Sequence, residues 1–190
     1  MTILQALSRL GERMEADGHL PPLGYSPEKI SYVISLNDDG TPVDVHDLRD
    51  VTGKKPLPRT VAVPQAIKRT SGVAPNFLWD KTAYVLGVTA GEGKRLAEEH
   101  AAFVERHLTE LKDADDAGLV ALRRFLERWT PEDFVALDWP EAMKDQNVVF
   151  ALESERRSRY LHDRPAAKAL WARMNAAADA TLGICLVSGE

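Results

Sequence analysis

Apolar residues recur at helical spacing in the opening segment MTILQALSRLGERMEADG, where Ile3, Leu4, Leu7, Leu10 and Met14 form one stripe that Gly18 and the LPPLG stretch bring to an end. The pattern then changes to the period of a strand. KISYVISL alternates Ile30, Tyr32 and Ile34 with smaller neighbours, Asp39 and Gly40 supply turn chemistry, VDVHDL alternates again, and RTVAVP closes at Pro64. These runs predict a helix packed on an antiparallel meander. Helical spacing returns with Leu96, Phe103, Val104, Leu108 and Leu111, and again with Leu119, Leu122, Phe125, Leu126 and Trp129. Thr130-Pro131-Glu132-Asp133 has the order of a helix start, with a Thr cap, Pro in the first turn and carboxylates near the positive end of the dipole. NVVFAL is a short buried-strand candidate, and Ala167, Leu170, Trp171, Met174 and Ala178 mark one face of a further helix. The closing GICLVSGE reads as a strand.

The fold class that follows is α+β. The expected organisation is a helix plus antiparallel sheet over 1–92, with a basic loop at 64–87, then a mostly helical segment over 93–190 with strands near 147–153 and 184–188.

Composition narrows the class. With 190 residues, 44% hydrophobic and 28% charged, the chain can bury a core of its own and lacks the like-charge blocks of a disordered protein. No run of about 18 apolar residues is present, which excludes a membrane-spanning helix. The opening stripe carries Arg9, Glu12, Arg13 and Glu15, unlike the continuous apolar core of a signal peptide, so a cytoplasmic location is expected. A lone Cys185 excludes an intrachain disulfide and a thiolate metal cluster. Net charge is -5, unevenly spread. Between Lys54 and Arg95 eight Lys and Arg residues meet only Asp80 and Glu92, and between Glu155 and Arg173 six meet only Glu155 and Asp163. Two basic patches on an acidic chain suit a polyanion met by one face, or a solvated surface.

The motifs of catalysis do not assemble. GVTAGEGKR resembles a phosphate-binding loop, but the spacing of Gly87 and Gly93 is wrong and Arg95 stands where a magnesium-binding hydroxyl belongs. His100 and His107 lie seven residues apart, about 10 Å along a helix axis, which is too far to share a metal; solvated or capped helix histidines are the expectation. In DVHDLRD, strand alternation sets Asp44 and His46 on one face and Asp47 on the other, with Asp50 beyond, which describes a polar strand face rather than an acid/base cluster. No cofactor and no metal is implied.

The stretch KRTSGVAPNFLWDKTAYVLG is better suited to binding. Lys68 and Arg69 can neutralise phosphates, Thr70, Ser71 and amides near Gly72 can donate to phosphate oxygens, and the Asn76 carboxamide can address a base edge. Asn76 has a second reading, as the cap of the turn into FLWD. Phe77, Leu78 and Trp79 either anchor the loop in the core or stack on an unpaired base, the anchor being the favoured reading.

ILQAL, PPLGYSPEKISYVISLNDDGTPVDVHDLRD, VPQAIKRTSGVAPNFLWDKTAYVLG, VVFALESE and RPAAKALWARM together resemble the N-terminal part of the large subunit, Cas family eight subtype c, of the type I-C CRISPR surveillance complex called Cascade. The resemblance spans nearly the whole chain and implies the first third of a longer protein. It implies a non-enzymatic subunit that reads a protospacer-adjacent motif in duplex DNA, helps open the duplex, and presents the displaced strand to a separate helicase-nuclease; base pairing with the guide reads the rest. The implied partners are the handle-binding and backbone subunits of Cascade, guide RNA, target double-stranded DNA, the helicase-nuclease and a phage anti-CRISPR protein, with no membrane. Motif contact carries over to Lys68, Arg69, Thr70, Ser71 and Asn76, with Gln65 and Lys81 as outer candidates. Lys54, Lys55, Arg59, Arg156, Arg157 and Arg159 form a secondary basic patch. The competing expectation is a protein-protein scaffold whose basic patches contact neighbouring subunits or an inhibitor.

Overall fold

A computed structural model describes residues 2–17, 20–69 and 72–178. The chain is α+β. Helix α1 (Ile3–Ala16) leads into strands β1 (Tyr25–Ile30), β2 (Tyr32–Leu36), β3 (Pro42–Asp47), β4 (Arg59–Pro64) and β5 (Trp79–Lys81). Helices α2 (Thr82–Leu86), α3 (Leu96–Glu110), α4 (Ala117–Arg128) and α5 (Asp133–Ala136) follow, then β6 (Asn147–Leu152) and α6 (Pro165–Ala178). The strand expected near 184–188 lies outside the described residues.

The run KISYVISL forms two strands, because the chain breaks register at Ser31. This residue is buried; its N–H donates to the Asn147 carbonyl, its carbonyl accepts from the Leu48 N–H, and its hydroxyl donates to Gln146 Oε1. Before the break, β1 pairs with β4 as a two-stranded antiparallel ribbon. After it, β2 enters a four-stranded sheet in the order β3-β2-β6-β5. RTVAVP therefore pairs with Tyr25–Ile30, which takes in only Lys29 and Ile30 of the long run, rather than extending a meander from β3. The β2/β3 hairpin is antiparallel, whereas β2 and β6 are parallel.

Burial explains why β2 and β6 have no polar face. On one side Tyr32, Ile34, Leu36, Val148, Phe150 and Leu152 meet the helices through Phe103, Leu122, Phe125 and Trp171. On the other, Val33, Val149 and Ala151 are covered by the ribbon through Ile30 and Val63 and by Trp79. A strand buried on both faces reads as a continuous apolar run, as NVVFAL does. Both halves of the sequence thus contribute to one sheet.

The helices take the faces their stripes predict. In α4 Leu119, Leu122, Phe125 and Leu126 are buried, and the Asp116 carboxylate caps the N-terminus by accepting from the Gly118 and Leu119 amides. The exception is α1, whose Ile3, Leu4, Leu7 and Leu10 are exposed, Ile3 to 81%. Among the described residues no helix is long and apolar enough to cross a membrane.

Candidate nucleic-acid interface

The segment from Gln65 to Lys81 leaves β4 and returns as β5, and its ends are held together by side chains. Asn76 Oδ1 accepts from the Ile67 N–H at 2.9 Å. Asp80 is 1% exposed, and its carboxylate accepts from the Asn76 and Lys81 amides, each at 2.8 Å, and from the Arg69 guanidinium. Arg69 Nε donates to the Ala74 carbonyl at 2.7 Å, and its guanidinium lies 4.1 Å from the centre of the Tyr84 ring. Arg106 on α3 donates to the Pro75 carbonyl from outside. Burial pushes the Asp80 carboxyl up, against the pull of Arg69 and the two amides.

This network corrects two assignments. Asn76, 4% exposed and bonded to Ile67, braces the loop and is not presented to a base. Arg69 is committed to Asp80 and Tyr84, so its charge is spent inside the protein. Arg156, from the secondary patch, is likewise occupied by Glu153 at 3.2 Å and by His46. Gln65, Lys68, Lys81, Lys54, Lys55, Arg59, Arg157 and Arg159 are exposed, and among the described residues none of these cations has an acidic partner. Thr70 and Ser71 lie outside the described residues.

The aromatics behind the loop are its root. Phe77 is fully buried, stacked on His107 and Trp171 at 5.6 Å each, and Trp79 Nε1–H donates to the Pro64 carbonyl. Neither ring is open to a base. Sequence patterning missed that this stretch ends in β5 and α2, and missed the partner of Leu78, which adopts φ 63°. The Leu78 N–H is received by His107 Nε2 at 2.9 Å, while His107 Nδ1–H donates to the Phe103 carbonyl. His107 is therefore a buried strap rather than a solvated helix residue. The available signal was its place four residues from both Phe103 and Leu111 on the core face.

The other chemical candidates resolve into structure. The loop resembling a phosphate cradle already holds a carboxylate, since the Thr89 hydroxyl and Ala90 N–H donate to Asp145. His100 Nδ1–H donates to the Tyr84 carbonyl. Asp44 Oδ2 lies 3.6 Å from His46 Nδ1, and Asp47 turns to Arg49, as strand alternation requires. Among the described residues no group of three potential metal ligands converges.

Two buried imidazoles set an acid limit on stability. Burial pushes His107 down to about 3 and His162 down to about 4, the latter against the pull of Asp163. Both are lower than the ordinary value near 6.5, so as pH falls below 6.5 the unfolded chain takes up protons that the folded chain refuses. The stability that these two rings contribute is fully present above about pH 6.5 and is lost progressively below it, down to the folded values. Each histidine contributes roughly a tenfold loss in the folding equilibrium per pH unit. Neither ring nitrogen of His162 has a hydrogen-bond partner among the described residues. Urea melts at pH 7 and pH 5 should therefore find His162→Phe at least as stable as wild type at pH 7 and less acid-sensitive; unchanged acid sensitivity would contradict this.

With this geometry in place, the comparison with known proteins adds one identification. No curated protein matches the chain. The model of the CRISPR-associated protein family Cas_Csd1 matches residues 7–190, and the chain belongs to that family.

Proposed function

We propose that this chain is a non-catalytic, cytoplasmic subunit of a type I-C Cascade that contacts target duplex DNA, reads the protospacer-adjacent motif and supports R-loop formation and helicase-nuclease recruitment. The carrying observation is the braced loop: its root is locked by Asp80, Asn76 and His107, while Lys68 stands exposed with no acidic partner among the described residues. A rigid support with an exposed cation holds a phosphate at little ordering cost. With Asn76 turned inward, the exposed carboxamide left to inspect a base edge is Gln65, whose N–H is fixed to the Gly24 carbonyl.

The test is a duplex titration of the assembled complex, with and without the motif. Lys68→Ala should weaken both duplexes and reduce the slope of log affinity against log salt by about 0.9. Gln65→Ala should lower motif-bearing DNA toward the motif-free level, by roughly 1 to 3 kcal/mol. Unchanged binding in both variants removes the loop from the DNA. The exposed apolar stripe of α1 favours a second contribution, docking on a neighbouring subunit. A Leu7→Asp/Leu10→Asp variant that loses assembly without losing the salt slope of what remains would separate that scaffold role from DNA contact.

A further inference from the structure

The β1/β4 ribbon has two ends, and only one carries the loop. At the other, Asn147 joins the ribbon to the sheet: its side-chain amide donates to the Lys29 carbonyl at 2.9 Å, and in the β5/β6 register it stands opposite Lys81. Residues opposed in this way lie about 5 Å apart, so Lys29 and Lys81 flank one fixed residue. Lys29 pairs with Thr60, and its Nζ donates to the Thr60 hydroxyl at 2.7 Å; Arg59 pairs with Ile30, on the opposite face of the ribbon. The loop bearing Lys54 and Lys55 springs from the same junction, tied by the Leu48 N–H to the Ser31 carbonyl and by the Asp50–Leu57 bridge.

All five cations are exposed, and none has an acidic partner among the described residues. Of the nearby carboxylates, Asp80 is paired with Arg69 in the interior, while Glu28, Asp50 and Asp145 keep their charge and are fixed by the hydroxyls of Ser26, Thr52 and Thr89, with no ion pair to these cations among the described residues. A group of like charges left unpaired on a chain of net charge -5 calls for an external polyanion. The geometry of the ribbon indicates which one. The six residues of β4 separate this end from the loop, about 17 Å at ~3.3 Å per residue, and 17 Å is about five base-pair steps of a duplex at 3.4 Å each.

We propose that Lys29 and Lys81, flanking Asn147 and supported by Lys54 and Lys55, form a second phosphate seat. The seat grips the duplex backbone about five base pairs from the point where the loop bearing Lys68 leaves the ribbon, so that the ribbon lies along the DNA with one contact beyond each end. This rests on the duplex-contact reading of the loop and extends it to the far end of the ribbon, where Lys81, the last residue of the loop segment, is joined by Lys29 from outside it. Sequence alone concealed it, because Lys29 and Lys81 come together only through the pairing of β6.

The experiment uses the assembled complex and salt titrations of three variants. Lys29→Ala/Lys81→Ala should reduce the log-log salt slope by about two, and Lys29→Arg/Lys81→Arg should restore it. On duplexes trimmed by about five base pairs at one end or the other, the double Ala variant should match wild type only on the trim that removes the seat's phosphates. Lys68→Ala should keep its loss on that trim. A full slope in the double Ala variant, with a reduced slope in Lys68→Ala, overturns the seat and leaves the loop reading standing. Full slopes in both overturn both readings. A double variant that fails to assemble but binds DNA with a full slope would assign the cations to a protein partner and overturn the seat.

Discussion

Asp80→Ala is expected to lower the stability of the folded chain by about 3 to 5 kcal/mol, the range for removing one member of a buried ion pair. Three donors converge on this carboxylate: the Arg69 guanidinium and the amides of Asn76 and Lys81. Deleting it leaves the amides facing a void and the guanidinium without its counter-charge in a position where its side chain is only 26% exposed. The loss should also be local in form. With the root open, Lys68 and Arg69 become more accessible to trypsin, and cleavage there should accelerate more than elsewhere in the chain. Replacing both partners by apolar residues of similar size, Arg69→Met with Asp80→Leu, should recover much of the loss, because no charge is then stranded. A urea midpoint for Asp80→Ala within error of wild type would show that the pair is not the brace described here.

The residues of this network also mark where sequence reading reaches its limit. The stripes of α4 and α6 were legible because a helix's face is set by neighbours three and four residues away, and Leu122, Phe125 and Trp171 are buried as that spacing requires. NVVFAL was legible as a strand by its unbroken apolar run, but its parallel partner β2 lies more than a hundred residues earlier, and no local pattern encodes that pairing. The break at Ser31 was equally hidden, since it depends on bonds to Asn147 and Gln146 from the far half of the chain. In the candidate site, residue types indicated the chemistry each side chain could perform without showing whether it was already occupied. Arg69 and Lys68 are adjacent and alike in charge, yet one is bound to Asp80 and the other faces solvent. In the sequence Asn76 reads both as a base reader and as the cap of the turn into FLWD. Its side chain is buried and accepts from Ile67 across the loop, a brace that neither reading names. The stripe of α1 shows the same limit from the other side: periodicity identified an apolar face, and that face is exposed.

Gly40→Ala should be comparably damaging, for a different reason. The turn from Asn37 to Gly40 closes β2 onto β3 with the Gly40 N–H on the Asn37 carbonyl, and Gly40 adopts φ 84°. A side chain at that φ costs about 1 to 3 kcal/mol by itself. The turn is also pressed against α4, where an added Cβ would lie 2.6 Å from Arg124 Cβ and 2.7 Å from the Ala121 carbonyl oxygen and the Phe125 nitrogen. Two of those neighbours are helix main chain, which cannot step aside as a side-chain tip would. Arg124 and Arg128 hold the turn in this position by donating to the Asp38 and Asp39 carbonyls, so relief requires breaking those bonds and lifting the hairpin from the helix. Overpacking of this kind adds about 1 to 3 kcal/mol, for a combined loss of roughly 2 to 6. Gly72 supplies the control, because it too has φ 84° but a Cβ there would meet nothing within 4 Å among the described residues. Gly72→Ala should therefore report the backbone cost alone, and Gly40→Ala should exceed it in urea melts by the cost of the displaced turn. Equal losses at the two glycines would mean that the hairpin is not clamped to α4.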